Sequence, residues 1–348
     1  MNKILFICGK DVRRKYFKEE DIRRLECFAE WDWVECDGGE EFGANPDSDA
    51  INRVKEAVTD VNGIVLAQGS PKITGAIMDL APDLKIIGEL EGDRFSERID
   101  LEEAWSRQIV TIDTTNGSSY PVAEWALGLM LISLKNAGAH FRRIIGGAIT
   151  RLNTDDFGYL NGELYQKKVG LIGCGHIGRR LIRFLKPFDV DLKVYDPYIA
   201  SEMADVMGFT KTSLDKVMAE SDVVACLAPL TPATRGMIGQ RELNLLRANT
   251  VFVNVSRGAI VDSTALIERL KKGDIVAGLD VFDPEPIPVE SEIRNLTNVF
   301  LSPHVAGVTV RSYTRFFALM VDELKRFFDG DETRFDLTPK SMSDRAGI

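Results

Sequence analysis

Short aliphatic and β-branched runs alternate with amphipathic stretches from the first residues onward. KILFIC (3–8), GIVLA (63–67), LKIIG (84–88) and IVTID (109–113) read as strands separated by helix-like sequence. A second series follows: KVGLIG (168–173), DLKVYD (191–196), SDVVACL (221–227), NTVFVNV (249–255), DIVAGLD (274–280) and NVFLSP (298–303). Strand alternating with helix makes parallel βαβ units, so each series predicts a doubly wound α/β sheet. A chain of 348 residues has room for two such cores.

The helix before DIVAGLD is marked at both ends. Asp262 or Ser263 can cap its start, Leu266 and Leu270 share a face, and Gly273 closes it after two lysines. Between the two series, SSYPVAEWALGLMLISLKNAGAHFRR (118–143) predicts one long helix. Its apolar stripe holds Val122, Ala126, Leu129, Met130 and Leu134. A stripe this wide suits either a domain core or a subunit interface. Another helix is expected over 311–328, and the tail from 333 shows no periodicity.

Charge and cysteine usage narrow the functional classes. The formal net charge of −10 argues against sequence-independent nucleic-acid binding, which needs a basic face to displace counterions. Five cysteines without a CxxC pair, and three histidines in all, argue against a metal site. Reduced thiols in a cytoplasmic protein are the simpler reading. The apolar run after Met1 is too short for a secretory signal. The most apolar stretch, 122–134, is too short to cross a bilayer and contains Glu124. A soluble, cytoplasmic protein is expected.

Gly173-Cys174-Gly175-His176-Ile177-Gly178 is the sharpest local signal. A lone GxGxxG means little, but here an apolar run precedes it and Ile177, Leu181, Ile182 and Leu185 follow at helical spacing. In such a turn the first glycine permits a tight bend and the second lets a pyrophosphate approach the backbone. The third allows the helix to pack closely on the strand. The phosphates then meet the positive end of the helix. Asp196 ends the next strand, where a carboxylate can accept the adenine ribose hydroxyls and repel a 2′-phosphate. That favours NAD over NADP. The competing reading of Asp196 is a turn residue before Pro197.

Oxidising a hydroxy acid requires a base for the hydroxyl proton and a cation for the carboxylate and carbonyl. A histidine held by a carboxylate suits the first task. Three segments after predicted strands supply such groups: Asn254-Val255-Ser256-Arg257-Gly258, Asp280-Val281-Phe282-Asp283-Pro284-Glu285-Pro286 and Ser302-Pro303-His304-Val305-Ala306-Gly307. Strand C-terminal ends are where open parallel sheets bind ligands.

These segments, with the Gly-rich turn and APLTPATRGMI (228–238), resemble the D-isomer-specific 2-hydroxyacid dehydrogenases in order and spacing. The likeness runs from about residue 84 to His304 and beyond. It implies that Arg257 grips the substrate carboxylate and carbonyl, that His304 is the acid/base, and that Glu285 holds the other imidazole nitrogen and favours the protonated ring. Asp280 would face the nicotinamide side of the cofactor. His176 and Ile177 would meet the pyrophosphate, and Pro229 with Thr234 would line the cofactor cleft. Val255, Ser256 and Gly307, with Arg257 and His304 themselves, complete the implied set of NAD contacts. The resemblance further implies a Rossmann NAD-binding domain (114–307) inserted into a discontinuous flavodoxin-like catalytic domain (1–113 and 308–348). The site would lie in the cleft, closing to exclude water. The helix after Tyr120 would form a homodimer.

The sequence departs from the family pattern at one place. Relatives carry a short glycine-rich loop after the strand equivalent to LKIIG, with backbone amides that help bind the substrate carboxylate. Here the segment from Gly88 to Asp100 reads GELEGDRFSERID, longer and more charged. Gly92 and Arg94 are its candidate substrate contacts. No arginine stands in Ala67-Gln68-Gly69-Ser70-Pro71-Lys72 to hold a phosphate, and Glu89, Glu91 and Asp93 would oppose a second anion. The expected substrate is a 2-hydroxy/2-keto acid with one carboxylate and a neutral polar remainder, such as a sugar acid. The loop also reads as ordinary surface variation with its charges in solvent. The alternatives are a phosphoglycerate dehydrogenase-like enzyme and an NAD-sensing corepressor. A formate-oxidising relative would pair the histidine with glutamine, so Glu285 argues against that chemistry.

Overall fold

Five parallel strands, β1 (Asn2–Cys8), β2 (Ala29–Glu35), β3 (Gly63–Leu66), β4 (Ile86–Glu89) and β5 (Val110–Asp113), form one sheet in the order β2-β1-β3-β4-β5. The computed structural model describes residues 1–39, 43–91, 97–147 and 162–346. Met1–Ser118 and Val308–Ser343 form this first unit, and a second is built around Ser119–Gly307. The first boundary falls a few residues past the sequence expectation of 113. The 3-10 turn Thr115–Ser118 belongs to the first unit, because its Gly117 lies against Phe316 and its carbonyl accepts a bond from the Arg315 guanidinium.

The inner strands β1, β3 and β4 of the first sheet carry apolar runs because helices cover both faces. Ile4, Phe6 and Cys8 pack with Phe316, Phe317 and Met320, while Leu5 and Ile7 pack with Val54 and Ile77. A side chain at Gly88 would meet the Met320 sulfur at 2.5 Å, which fixes how closely helix Val310–Asp329 sits on β4. β2 is an edge strand of alternating character whose Trp33 ring lies under the Arg13 guanidinium at 4.2 Å.

The second unit carries β6 (Lys168–Ile172), β7 (Asp191–Tyr195), β8 (Thr210–Lys211), β9 (Val223–Cys226), β10 (Val251–Asn254), β11 (Val276–Leu279) and β12 (Val299–Leu301). Their order is β12-β11-β10-β9-β6-β7-β8, all parallel. The chain starts this sheet in the middle, builds outward through β7, then returns to the other side of β6. That reversal makes a crevice at the strand C-terminal ends. The two sheets show the flavodoxin-like and Rossmann-type strand orders respectively. Asp262 caps helix Ser263–Lys271 by accepting from Ala265 N at 2.9 Å, and Leu266 and Leu270 are buried.

Two expectations change. The long helix over 118–143 is broken into Ser119–Leu134 and Ala137–Ile145 at Asn136, whose φ is 46°. All five stripe residues, Val122, Ala126, Leu129, Met130 and Leu134, are buried within this unit's own core. The stripe is therefore core. Exposed apolar surface lies instead on the second helix, at Phe141, Ile144 and Ile145. The tail, read as aperiodic, contains a helix at Pro339–Ala346.

Among the described residues no helix is long and apolar enough to cross a membrane, and no group of three or more His, Cys, Asp or Glu is placed to hold a metal. Burial pushes the Cys8 and Cys226 thiols up to about 12 and the Cys174 thiol up to about 11.

Candidate active site

The Gly-rich turn joins β6 to helix His176–Leu185, and its three glycines answer to three different constraints. Gly173 has φ +99°, and a Cβ there would stand 2.8 Å from Ala228 N. A Cβ at Gly178 would stand 2.8 Å from the Gly173 carbonyl, so only glycine lets the helix lie this close to the turn. At Gly175 a Cβ would meet nothing within 4 Å. The space it faces is open, at the start of a ten-residue helix that no side chain caps. An open backbone cradle at the positive end of a helix fits a pyrophosphate. His176 and Ile177 form the first helical turn there.

Asp196 serves the turn as well as facing it. Its Oδ2 accepts from Cys174 N at 2.7 Å, while Oδ1 accepts from Tyr198 N and Ile199 N at 2.9 and 3.1 Å. A carboxylate has about four acceptor positions, so roughly one remains for a ribose hydroxyl. Across the crevice, Thr234 Oγ1 donates to the Pro229 carbonyl at 2.6 Å and accepts from Thr231 N, making the 229–234 loop rigid.

Arg257, Asp280 and His304 follow β10, β11 and β12, which are adjacent parallel strands. Strand spacing of about 4.8 Å thus sets three functional segments side by side. Asn254 shapes the first of them, accepting from Ser256 N and donating to the Arg257 carbonyl at 3.1 Å, and the Ser256 hydroxyl bonds the Ala228 carbonyl. The Arg257 guanidinium donates to the Ser256 carbonyl at 2.8 Å. Gly258 then lets this segment touch the next, since a Cβ there would come within 1.9 Å of the Phe282 carbonyl.

His304 Nδ1 lies 2.7 Å from Glu285 Oε1, and Glu285 Oε2 accepts from Phe282 N at 3.3 Å. Both side chains are about one-third exposed, 38% and 33%, so a ligand can reach the pair. His304 itself has φ +53°, in the left-handed region. Asp280 is fully enclosed. Its Oδ1 accepts from Ser302 Oγ at 2.5 Å and Val305 N at 3.1 Å, and Oδ2 from Ala306 N at 2.9 Å.

Residues 127–306 match the family model described as "D-isomer specific 2-hydroxyacid dehydrogenase, NAD binding domain". The chain is 32% identical over 278 residues to a D-3-phosphoglycerate dehydrogenase of Methanocaldococcus jannaschii, an alignment covering 79% of this chain and 51% of that protein. It is 32% identical over 285 residues to a glyoxylate reductase of Thermococcus gammatolerans, covering 79% and 82%. The chain belongs to the D-isomer-specific 2-hydroxyacid dehydrogenase family. It spans about half the length of the phosphoglycerate dehydrogenases it matches. A solved phosphoglycerate oxidoreductase from Rhizobium etli superposes with a TM-score of 0.80 at 21% identity, over 97% of this chain and 98% of that one, which is a likeness of fold.

Within this family the second unit is the NAD-binding domain, and the residues above fit the dinucleotide. The segment that departs from the family pattern lies in the first unit, after β4. Gly92 and Arg94, its two candidate substrate contacts, fall outside the described residues, as does Asp93. The flanking glutamates are engaged internally. Glu89 pairs with Arg98 at 2.6 Å, both wholly buried, and Arg98 Nε donates to the Gly43 carbonyl at 3.0 Å. Glu91 accepts from Gln68 N at 3.1 Å and from the Tyr16 hydroxyl. The expectation that Glu89 repels a second anion therefore loses its basis, because a guanidinium compensates its charge. Glu91 is instead held in place by neutral donors.

Sequence reasoning passed over two residues that shape these segments, Gly258 and Trp125, whose indole N–H donates to the Ser302 hydroxyl at 3.1 Å. A glycine directly after the arginine at a strand end was the available signal for the first. Trp125 lay inside an apolar helix and carried none.

Proposed function

We propose that this chain is an NAD-dependent D-2-hydroxyacid dehydrogenase (2-keto acid reductase) acting on small acids with one carboxylate and a neutral polar remainder, such as sugar acids. The 2.7 Å contact between His304 and Glu285, on a strand end beside those of Arg257 and Asp280, carries the reading. With Nδ1–H donated to Glu285, His304 is left with Nε2 to give a proton to the forming alkoxide, or to take it in the reverse direction. Glu285 fixes the ring and offsets the positive charge of its doubly protonated form. Arg257 presents a planar fork suited to a carboxylate and adjacent carbonyl. NAD, when bound, supplies the hydride acceptor or donor. Gly173, Gly175, His176, Ile177 and Gly178 would hold its pyrophosphate, and Pro229, Thr234, Val255, Ser256 and Gly307 would line its cleft. Asp196 would meet the ribose and disfavour a 2′-phosphate.

The segment 67–72 after β3 holds no arginine to pair with a phosphate. Steady-state rates across glyoxylate, hydroxypyruvate, a sugar-derived 2-keto acid and phosphohydroxypyruvate, each with NADH and NADPH, test this. An unphosphorylated substrate with NADH should give the highest kcat/KM. Preference for the phosphorylated acid would instead select the activity named for the relatives from M. jannaschii and Archaeoglobus fulgidus.

We further infer a cytoplasmic homodimer. Mostly buried thiols suit a reducing compartment. The helix Ala137–Ile145 leaves Phe141, Ile144 and Ile145 67–74% exposed, a patch that a second copy would cover. Sedimentation of Phe141→Glu/Ile144→Glu should show a monomer where the parent shows a dimer. An unchanged dimer would place the interface elsewhere.

A further inference from the structure

Asp280 presents both its main chain and its side chain to the turn that carries His304. Its carbonyl accepts from His304 N at 2.8 Å, and its carboxylate takes Val305 N and Ala306 N. The turn needs such restraint, because His304 holds a left-handed backbone conformation at φ +53°. Displacing residues 304–306 would carry the imidazole away from Glu285.

The remaining bond to this carboxylate comes from Ser302, whose hydroxyl donates to Oδ1 at 2.5 Å. Ser302 has one proton to give and a second possible acceptor, the Leu279 carbonyl at 3.5 Å. Trp125 influences that choice. Its Nε1–H, a donor without acceptor capacity, reaches Ser302 Oγ at 3.1 Å. A hydroxyl that accepts from the indole is oriented to send its own proton to the shorter contact. The bonds run one way: Trp125 to Ser302, Ser302 to Asp280, with Asp280 gripping the turn. Trp125 stands on helix Ser119–Leu134, whose packing against the unit's core gives this chain of bonds a rigid origin.

We propose that Trp125 is a positioning residue for His304, acting through the Ser302 hydroxyl and the Asp280 carboxylate. This rests on the reading of His304 as the acid/base. Charge-stabilised hydrogen bonds in a buried series reinforce one another, so loss of the first donor loosens the last.

Four proteins test it: the parent, Trp125→Phe, Ser302→Ala and the double variant. Trp125→Phe keeps an aromatic ring but no N–H. It should lower kcat for keto-acid reduction by about tenfold, with NADH affinity changed by less than about threefold. Ser302→Ala should lose as much or more, and Ser302→Thr should restore most of the rate. Because the residues act in series, the double variant should be no slower than Ser302→Ala alone. A second readout follows the imidazole: the Nδ1 proton shared with Glu285, assigned by its loss in His304→Gln, should broaden and exchange faster in Trp125→Phe. Multiplicative losses in the double variant, or an unchanged Nδ1 proton in Trp125→Phe, would overturn the proposal. Full turnover by His304→Gln would remove the acid/base reading itself, a separate outcome.

Discussion

Replacing His304 with glutamine is expected to lower turnover by roughly a hundred- to ten-thousand-fold, while NADH binding stays within about threefold of the parent. The imidazole is the group in this constellation suited to passing a proton to or from substrate, and it is held by Glu285 Oε1 at 2.7 Å with Nε2 left for substrate. Glutamine keeps a polar side chain of similar reach but has no proton to exchange. Dinucleotide affinity should depend mainly on the open cradle at Gly175 and on Asp196, which the change leaves untouched. Fluorescence titration of NADH separates the two effects: a large kcat loss with intact binding identifies a chemical role. If turnover stayed within a few-fold of the parent, His304 would be a structural residue and the proton would need another route.

The same strand ends show what sequence could and could not reveal. β6 and the Gly-rich turn were legible because three glycines at fixed spacing follow an apolar run, and each has a steric or open-space reason in the structure. β10, β11 and β12 were legible as short apolar runs, and their order brings Arg257, Asp280 and His304 together. β2 was not, because Ala29–Glu35 is an edge strand in which charges alternate with tryptophans, so no continuous apolar run marks it. The break at Asn136 was hidden for a different reason. Asparagine accepts a left-handed conformation without the signature a proline or glycine would leave. Charge in the Glu89–Arg98 segment misled most. Acidic residues repel an anion only where no cation offsets them, and residue type alone does not reveal that Glu89 is buried on Arg98 or that Glu91 is held by Tyr16 and Gln68. Pairing across such a span is a tertiary fact.

That buried pair sets the second large expectation, on stability. Arg98→Met should destabilise the first unit by about 3–5 kcal/mol, since it removes the cation facing a carboxylate that is fully out of solvent. It also removes the bond from Nε to the Gly43 carbonyl, which links the β4 loop to the segment after β2. Arg98→Lys restores the charge but not the planar fork that serves both partners, so it should recover only part of the loss. The informative comparison is Glu89→Gln/Arg98→Met. Without the charged carboxylate, most of the penalty should vanish, and the double variant should be more stable than Arg98→Met alone. Urea unfolding monitored by tryptophan fluorescence follows the first unit through Trp31, Trp33 and Trp105, although Trp125 in the second unit contributes to the same signal. Trp125→Phe as the background removes that contribution. An Arg98→Met transition within about 1 kcal/mol of its parent would mean that Glu89 is relieved in some other way, and that the pair does not hold the loop.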